Sequence, residues 1–166
     1  MTTPATEHAS QINVLNDHHC FGCGRLNLHG LQLSFYANAD GPGVWAPFTP
    51  TDAVEGYDGV VHGGIVCTIL DEVMAWSLYR EETWAVTGQL NTRFRKPVLV
   101  GEPLRAIGMI LRDRGRVIET RGEIRRGADN TLLAEATATF FRVPEAQATT
   151  WNERYLGSGA GGGEAE

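Results

Sequence analysis

The stretch GIVCTILDEVMAWSLY, residues 64–79, decides the fold. Its apolar residues recur at helical spacing, so that they form one stripe along a helix. Few positions in this stretch suit open solvent, and the sequence therefore predicts one long, buried, central helix. The residues on the stripe or directly beside it are Ile65, Val66, Ile69, Leu70, Val73, Met74 and Ser77.

On both sides of this helix the pattern changes to the alternation of a half-buried strand. Segments 31–37 and 44–48 precede it, and 85–95, 104–112, 116–126 and 131–143 follow it. The breaks at 112–115 and 127–130 are rich in Gly, Asp or Asn, as hairpin turns are. This order predicts an α+β fold in which an antiparallel sheet wraps around the helix, with exposed edges that pairing into a dimer would cover.

Chain length and composition narrow the classes of protein. The 166 residues fit one domain, predicted at 18–145 between a flexible N-terminal arm (1–17) and a flexible C-terminal tail (146–166) that ends in GSGAGGGEAE. A net charge of −6 argues against a nucleic-acid partner. No apolar run is long enough to span a membrane and no secretory signal is visible, so we expect a cytoplasmic protein.

The segment GVVHGGIVCTILDE, residues 59–72, carries the candidate chemistry. Gly63 and Gly64 fall at the predicted helix start, where amides without internal partners can stabilise an oxyanion. Asp71, nine residues after His62, is a carboxylate among apolar neighbours. The plainer interpretations are a simple glycine turn, a solvated acidic helix face, and a His62 that caps the helix.

The cysteines suggest free thiols, because three is an odd, small number. His18, His19, Cys20 and Cys23 invite a zinc interpretation, but one CxxC without a second, well-spaced pair is a weak signal. We therefore predict no metal, with Cys20 and Cys23 packed at the entry of the domain and Cys67 in the core.

Several motifs together resemble the hotdog-fold thioesterases of the PaaI type, and also 4-hydroxybenzoyl-CoA thioesterases. The resemblance covers roughly residues 20–143. It rests on GVVHGG (59–64), LDE (70–72), CFGCG (20–24) with Asn27 and Gly30-Leu31, TGQL (87–90), RFRKP (93–97), GRV (115–117), and AEA (134–136) with Thr139-Phe140.

This resemblance implies a homodimer or homotetramer that hydrolyses an acyl-CoA at a site between subunits. Asp71 matches the family's catalytic acid, as general base or nucleophile, and the Gly63 amide matches the donor that polarises the thioester carbonyl. His62 and Gly64 match the loop that holds them. No cofactor is expected beyond the CoA moiety of the substrate.

The chain departs from the family at two positions. The Asn that members often carry six residues before the histidine is Gly56 here, and Tyr57 or Asp58 is a substitute candidate. The hydroxyl that some members place after the acid falls at Gln89, with Thr87 nearby. Candidates for the CoA phosphates, each of which is equally a plain surface cation, are Arg93, Arg95, Lys96, Arg114 and Arg116.

Two other functions stay open at this point. One is a non-catalytic hotdog module that binds acyl-CoA as a sensor or carrier, which the missing Asn favours. The other is a hydratase on the same fold, although the spacing from HGG to Asp71 fits a thioesterase better.

Overall fold

A computed structural model describes residues 10–39 and 41–157. Two α-helices, eight strands and a short 3-10 helix (Asp52–Val54) follow one another along this part of the chain. The α-helices and strands are β1 (Tyr36–Ala37), β2 (Val44–Phe48), β3 (Glu55–Tyr57), β4 (Val60–Val61), α1 (Gly63–Tyr79), β5 (Ala85–Phe94), β6 (Leu104–Asp113), β7 (Val117–Arg126), β8 (Leu132–Arg142) and α2 (Glu145–Tyr155).

The main sheet is antiparallel and has six strands in the order β1-β2-β6-β7-β8-β5. Helix α1 lies across it, and β3 and β4 form a small separate sheet just before the helix. This arrangement confirms the predicted α+β hotdog layout of a long central helix wrapped by a sheet.

Two glycines let the helix lie close to the sheet. Gly108 and Gly122 face each other across β6 and β7. A Cβ on Gly108 would come within 2.1 Å of the Val73 carbonyl oxygen, and one on Gly122 would be 3.1 Å from Met74 Cγ. Backbone and side chains of α1 therefore occupy the space that larger residues would fill, and the core forms around this contact.

The predicted elements agree with the structure except at the first strand. Helix α1 begins one residue earlier than predicted, and each of the four long strands ends within one residue of its predicted bounds. Of segment 31–37, only Tyr36–Ala37 joins the sheet. Gln32 has a φ of +50°, and the amides of Leu31 and Leu33 bind loop carbonyls instead of a neighbouring strand.

The described parts of the predicted flexible arm and tail have defined structure and contact the rest of the fold. Asn13 is buried and binds the backbone of Leu33 and Phe35 at 2.8 Å each. Glu145–Tyr155 is a helix whose Trp151 ring contacts Trp84. Further contacts hold the same segments, such as the ion pair of Arg154 with Asp17, and the polar composition of the two segments does not reveal these contacts. Residues 1–9 and 158–166, the rest of the predicted arm and tail, lie outside the described residues.

In the described part of the chain, neither α1 nor α2 is long and apolar enough to cross a bilayer.

Candidate active site

Asp71 lies on α1 with its carboxylate turned toward the edge strand β5. The Thr87 hydroxyl donates a hydrogen bond of 2.7 Å to Asp71 Oδ1. Burial raises the pKa of Asp71 above its ordinary value, and the Thr87 hydrogen bond opposes that rise. Asp71 is thus a half-buried acid with one hydroxyl partner, which suits a general base or a nucleophile.

A bulge in β5 selects Thr87 as this partner. The register between β5 and β8 shifts between Thr87 and Gln89, which leaves Gly88 as the extra residue. A Cβ on Gly88 would lie 2.1 Å from the Phe141 ring, so glycine is required there. Gln89 is exposed on the same strand, while Thr87 occupies the hydroxyl position beside the acid.

The start of α1 is built by the predicted glycine loop. His62 caps the helix, because its Nδ1 accepts a hydrogen bond of 2.9 Å from the Gly64 amide. Its own amide donates to the Val54 carbonyl at 2.9 Å, which ties the loop down. Gly63 is exposed, and within residues 10–39 and 41–157 no acceptor pairs with its amide. The helix therefore presents a free donor at its positive end.

Within one chain the acid and this donor are far apart. Eight residues of α1 separate Gly63 from Asp71, which is about 12 Å along the helix axis. One carbonyl group therefore cannot contact both in the same copy. Among the strands that the structure describes, β5 pairs only with β8, so its outer edge has no partner among them. The side chains of Val86 and Phe94 on β5 are 46% and 54% exposed.

The predicted phosphate-binding cations do not form one cluster. Arg95 and Lys96 line a cavity of about 320 Å³ together with Gly63 and Phe94, next to the helix start. Arg95 also pairs with Glu135.

Arg93 lines a neighbouring cavity with Arg121. Arg114 and Arg116 lie at the other end of the sheet. The Arg142 amide donates a hydrogen bond to the Arg116 carbonyl, and Arg142 pairs with Ala85 at the start of β5. The length of β5, about 30 Å, separates the two groups within one chain.

The two proposed substitutes for the family Asn lie near the site but are fully open to solvent. Tyr57 is 85% exposed and Asp58 follows it in the turn before β4. Gly56 packs against His62, where a Cβ would come within 3.0 Å of the His62 Cα. A side chain at this position would push against the histidine that caps the helix.

Sequence reasoning missed a cluster next to Asp71. Cys20, Cys23 and Glu72 bring their sulfur and carboxylate atoms within 4.8 Å of one another. Hydrogen bonds from Cys23 lower the pKa of Cys20 to about 5, whereas burial raises that of Glu72 to about 8. The sequence shows the CxxC motif, but it does not show that Glu72, distant in the chain, lies beside it.

The chain is similar in sequence to a known protein family and to two known proteins. The profile of the thioesterase superfamily matches residues 58–133. An uncharacterised protein of Schizosaccharomyces pombe is 30% identical over 114 residues, 66% of this chain and 65% of that protein. Acyl-coenzyme A thioesterase THEM4 of Mus musculus is 31% identical over 90 residues, 54% of this chain and 39% of that protein. The chain thus spans less than two thirds of either relative.

Solved structures share the fold. A crystal structure of a thioesterase superfamily protein, 27% identical, has a TM-score of 0.70 and covers 83% of this chain and 70% of its own. PaaI of E. coli, 18% identical, has a TM-score of 0.63 with coverages of 69% and 81%. A Streptococcus mutans protein bound to acetyl CoA, 23% identical, has a TM-score of 0.60 with coverages of 66% and 88%.

Proposed function

We propose that this chain, which matches the thioesterase superfamily in sequence and in fold, hydrolyses an acyl-CoA thioester to a free acid and CoA. The observation that carries the proposal is the half-buried Asp71 carboxylate, which the Thr87 hydroxyl holds beside β5, the last strand of the sheet as described. It supplies the base or nucleophile that thioester hydrolysis needs.

The second requirement is a donor for the charge that develops on the carbonyl oxygen. The free Gly63 amide at the start of α1 suits this role, and one such donor contributes about 3–4 kcal/mol. Because Asp71 and Gly63 of one chain are too far apart, the proposal requires a homodimer or a larger homo-oligomer. Each site then takes Asp71 from one copy and Gly63 from another.

A surface that suits the phosphates of the CoA moiety lies near Gly63. Arg95 and Lys96 line the cavity beside the helix start, and both cations and helix amides attract phosphate. The acetyl CoA held by the Streptococcus mutans protein of the same fold supports this assignment of ligand class.

Asp71→Asn tests the proposal, since it keeps the shape and the contact with Thr87 but removes the base. We expect acyl-CoA consumption, followed by the loss of thioester absorbance, to fall roughly 10²- to 10⁴-fold. Glu153→Gln, an exposed change on α2, serves as the control and keeps the wild-type rate. A panel of short, medium, long and aromatic acyl-CoAs identifies the preferred acyl group.

An equal rate in Asp71→Asn contradicts the role of Asp71. A wild-type protein that acyl-CoA stabilises against heat, without consuming any thioester of the panel, is instead a non-catalytic binding module. Gly56, in the place of the family Asn, is the observation that favours this second function.

A further inference from the structure

A tight turn holds two thiols against the carboxylate that follows Asp71. Cys20 Sγ lies 3.5 Å from Glu72 Oε1, and Cys23 is buried beside them. The turn closes through a hydrogen bond of 2.9 Å from the Gly24 amide to the Cys20 carbonyl. A Cβ on Gly22 would lie 2.2 Å from Glu72 Cδ, so the turn packs directly on the carboxylate.

The spacing of these atoms suits one tetrahedral metal ion. Zn²⁺ binds thiolate sulfur at about 2.3 Å and carboxylate oxygen at about 2.0 Å, which puts a sulfur and an oxygen ligand roughly 3.5 Å apart and two sulfurs roughly 3.8 Å apart. The 3.5 Å between Cys20 and Glu72 agrees with the first separation. All three donor atoms lie within 4.8 Å of one another.

The three donor groups bind a metal ion in their deprotonated forms. Two thiolates and a carboxylate together would place three negative charges in a half-buried site. A divalent cation at their centre removes most of this cost, and the residues that line this cavity include neither lysine nor arginine.

Cys20, Cys23 and Glu72 all line one cavity of about 230 Å³. Its wall is aromatic and includes Trp76, Tyr79, Trp84, Trp151 and Tyr155. His18 lines the same cavity, is only 8% exposed, and leaves its Nε2 buried without a hydrogen-bond partner in the described structure. His18 Nδ1 already accepts a hydrogen bond from the Cys20 amide. The unused Nε2 points to a missing polar ligand in this cavity, such as a water or an anion on the metal.

We propose that Cys20, Cys23 and Glu72 form a binding site for a divalent transition-metal ion of the Zn²⁺ class, with an open fourth position toward the aromatic cavity. Binding releases the thiol and carboxyl protons to solvent, and no electron transfer is required. The ion would join the 20–24 turn to α1 at the residue next to Asp71.

The test uses Co²⁺ as the probe, added to the full-length protein after chelation and with all thiols reduced. We expect saturable uptake with an intense near-ultraviolet band from thiolate-to-cobalt charge transfer, and displacement of the band by Zn²⁺. Cys20→Ser and Cys23→Ser lose the band, and Glu72→Gln weakens binding roughly tenfold or more. Cys67→Ser, a change of the remaining cysteine, retains wild-type binding.

Circular dichroism of each variant confirms that a lost band is not lost folding, and Glu72→Gln leaves both thiols in place as a second check. The proposal is overturned if reduced wild-type protein takes up no Co²⁺, or if Cys20→Ser and Cys23→Ser bind it as well as the wild type. It is also overturned if Cys20 and Cys23 are found as a disulfide that takes up no metal after reduction. None of these readouts depends on thioesterase activity.

Discussion

The Thr87 hydroxyl and the Asp71 carboxylate share a hydrogen bond of 2.7 Å between the edge strand β5 and the central helix α1. Burial favours the neutral acid, whereas a donated hydrogen bond favours the anion. Thr87 therefore opposes the effect of burial and favours the anionic form, which a base or nucleophile needs. The same bond directs the carboxylate toward β5.

Thr87→Val removes this bond while keeping the branched shape. The pKa of Asp71 then rises further. As the pH is lowered, kcat/KM for acyl-CoA therefore begins to fall at a higher pH than in the wild type. At neutral pH we expect a loss of about 1 kcal/mol, roughly fivefold. The measurement is a pH profile of kcat/KM on chelator-treated protein, so that no ion at the neighbouring cysteines alters the titration.

Thr137→Val, on the exposed face of the neighbouring strand β8, is the matched control and keeps the wild-type profile. If Thr87→Val lowers kcat/KM equally at every pH, the hydroxyl orients Asp71 or the substrate without tuning its protonation.

Gly88→Ala tests the bulge that presents Thr87. The new methyl group would overlap the Phe141 ring, so we expect a loss of about 1–3 kcal/mol in the free energy of unfolding. Urea denaturation measures it, with Gly41→Ala as the control because no atom of the described residues lies within 4 Å of a Cβ there. Phe141→Ala in the same chain should recover part of the loss. Strictly additive losses in the double variant would show that the ring is not the obstacle.

The sequence predicted the elements whose signals are local. The stripe of 64–79 and the alternation of the four strands after it depend on side-chain periodicity alone, and each bound agrees within one residue. The glycine loop, the capping role of His62 and the position of Asp71 followed from the same helix start. These features depend on neighbours in the chain, which a single sequence contains.

The features that the sequence could not predict depend on residues distant in the chain. The bulge at Gly88 is set by Phe141 on another strand, so spacing alone pointed to Gln89. Glu72 meets Cys20 across a separation of 52 residues. Helix α2 is ordered by the contact of Trp151 with Trp84, which its polar composition does not reveal.

Val86→Lys tests the unpaired edge of β5 as the subunit contact. An exposed apolar edge strand favours pairing with another copy, and a lysine on it opposes such pairing. Sedimentation equilibrium should show an oligomer for the wild type and a smaller species for the variant. Leu111→Lys, at a similarly exposed apolar residue on β6, should leave the mass unchanged. A monomeric wild type would contradict the shared site.

Mixing two inactive variants tests whether Asp71 and Gly63 of different copies form one site. Gly63→Pro removes the amide donor with little harm to the helix, because proline is tolerated at the first helical position and His62 already has the extended ψ of 133° that a following proline needs. Asp71→Asn removes the acid. Each variant alone should be inactive while remaining folded and oligomeric.

In a mixed dimer, one site combines the Asp71 of the Gly63→Pro chain with the intact Gly63 amide of the Asp71→Asn chain. Random mixing in equal amounts therefore restores about a quarter of the wild-type sites, since half of the dimers are mixed and each has one intact site of two. The recovered rate should appear only after the subunits have exchanged, which mild denaturation and refolding ensures. If activity stays at the level of the separate variants after exchange, the acid and the donor do not act across two copies. The proposed mechanism is then excluded, because the roughly 12 Å between them prevents both from acting on one carbonyl within one chain.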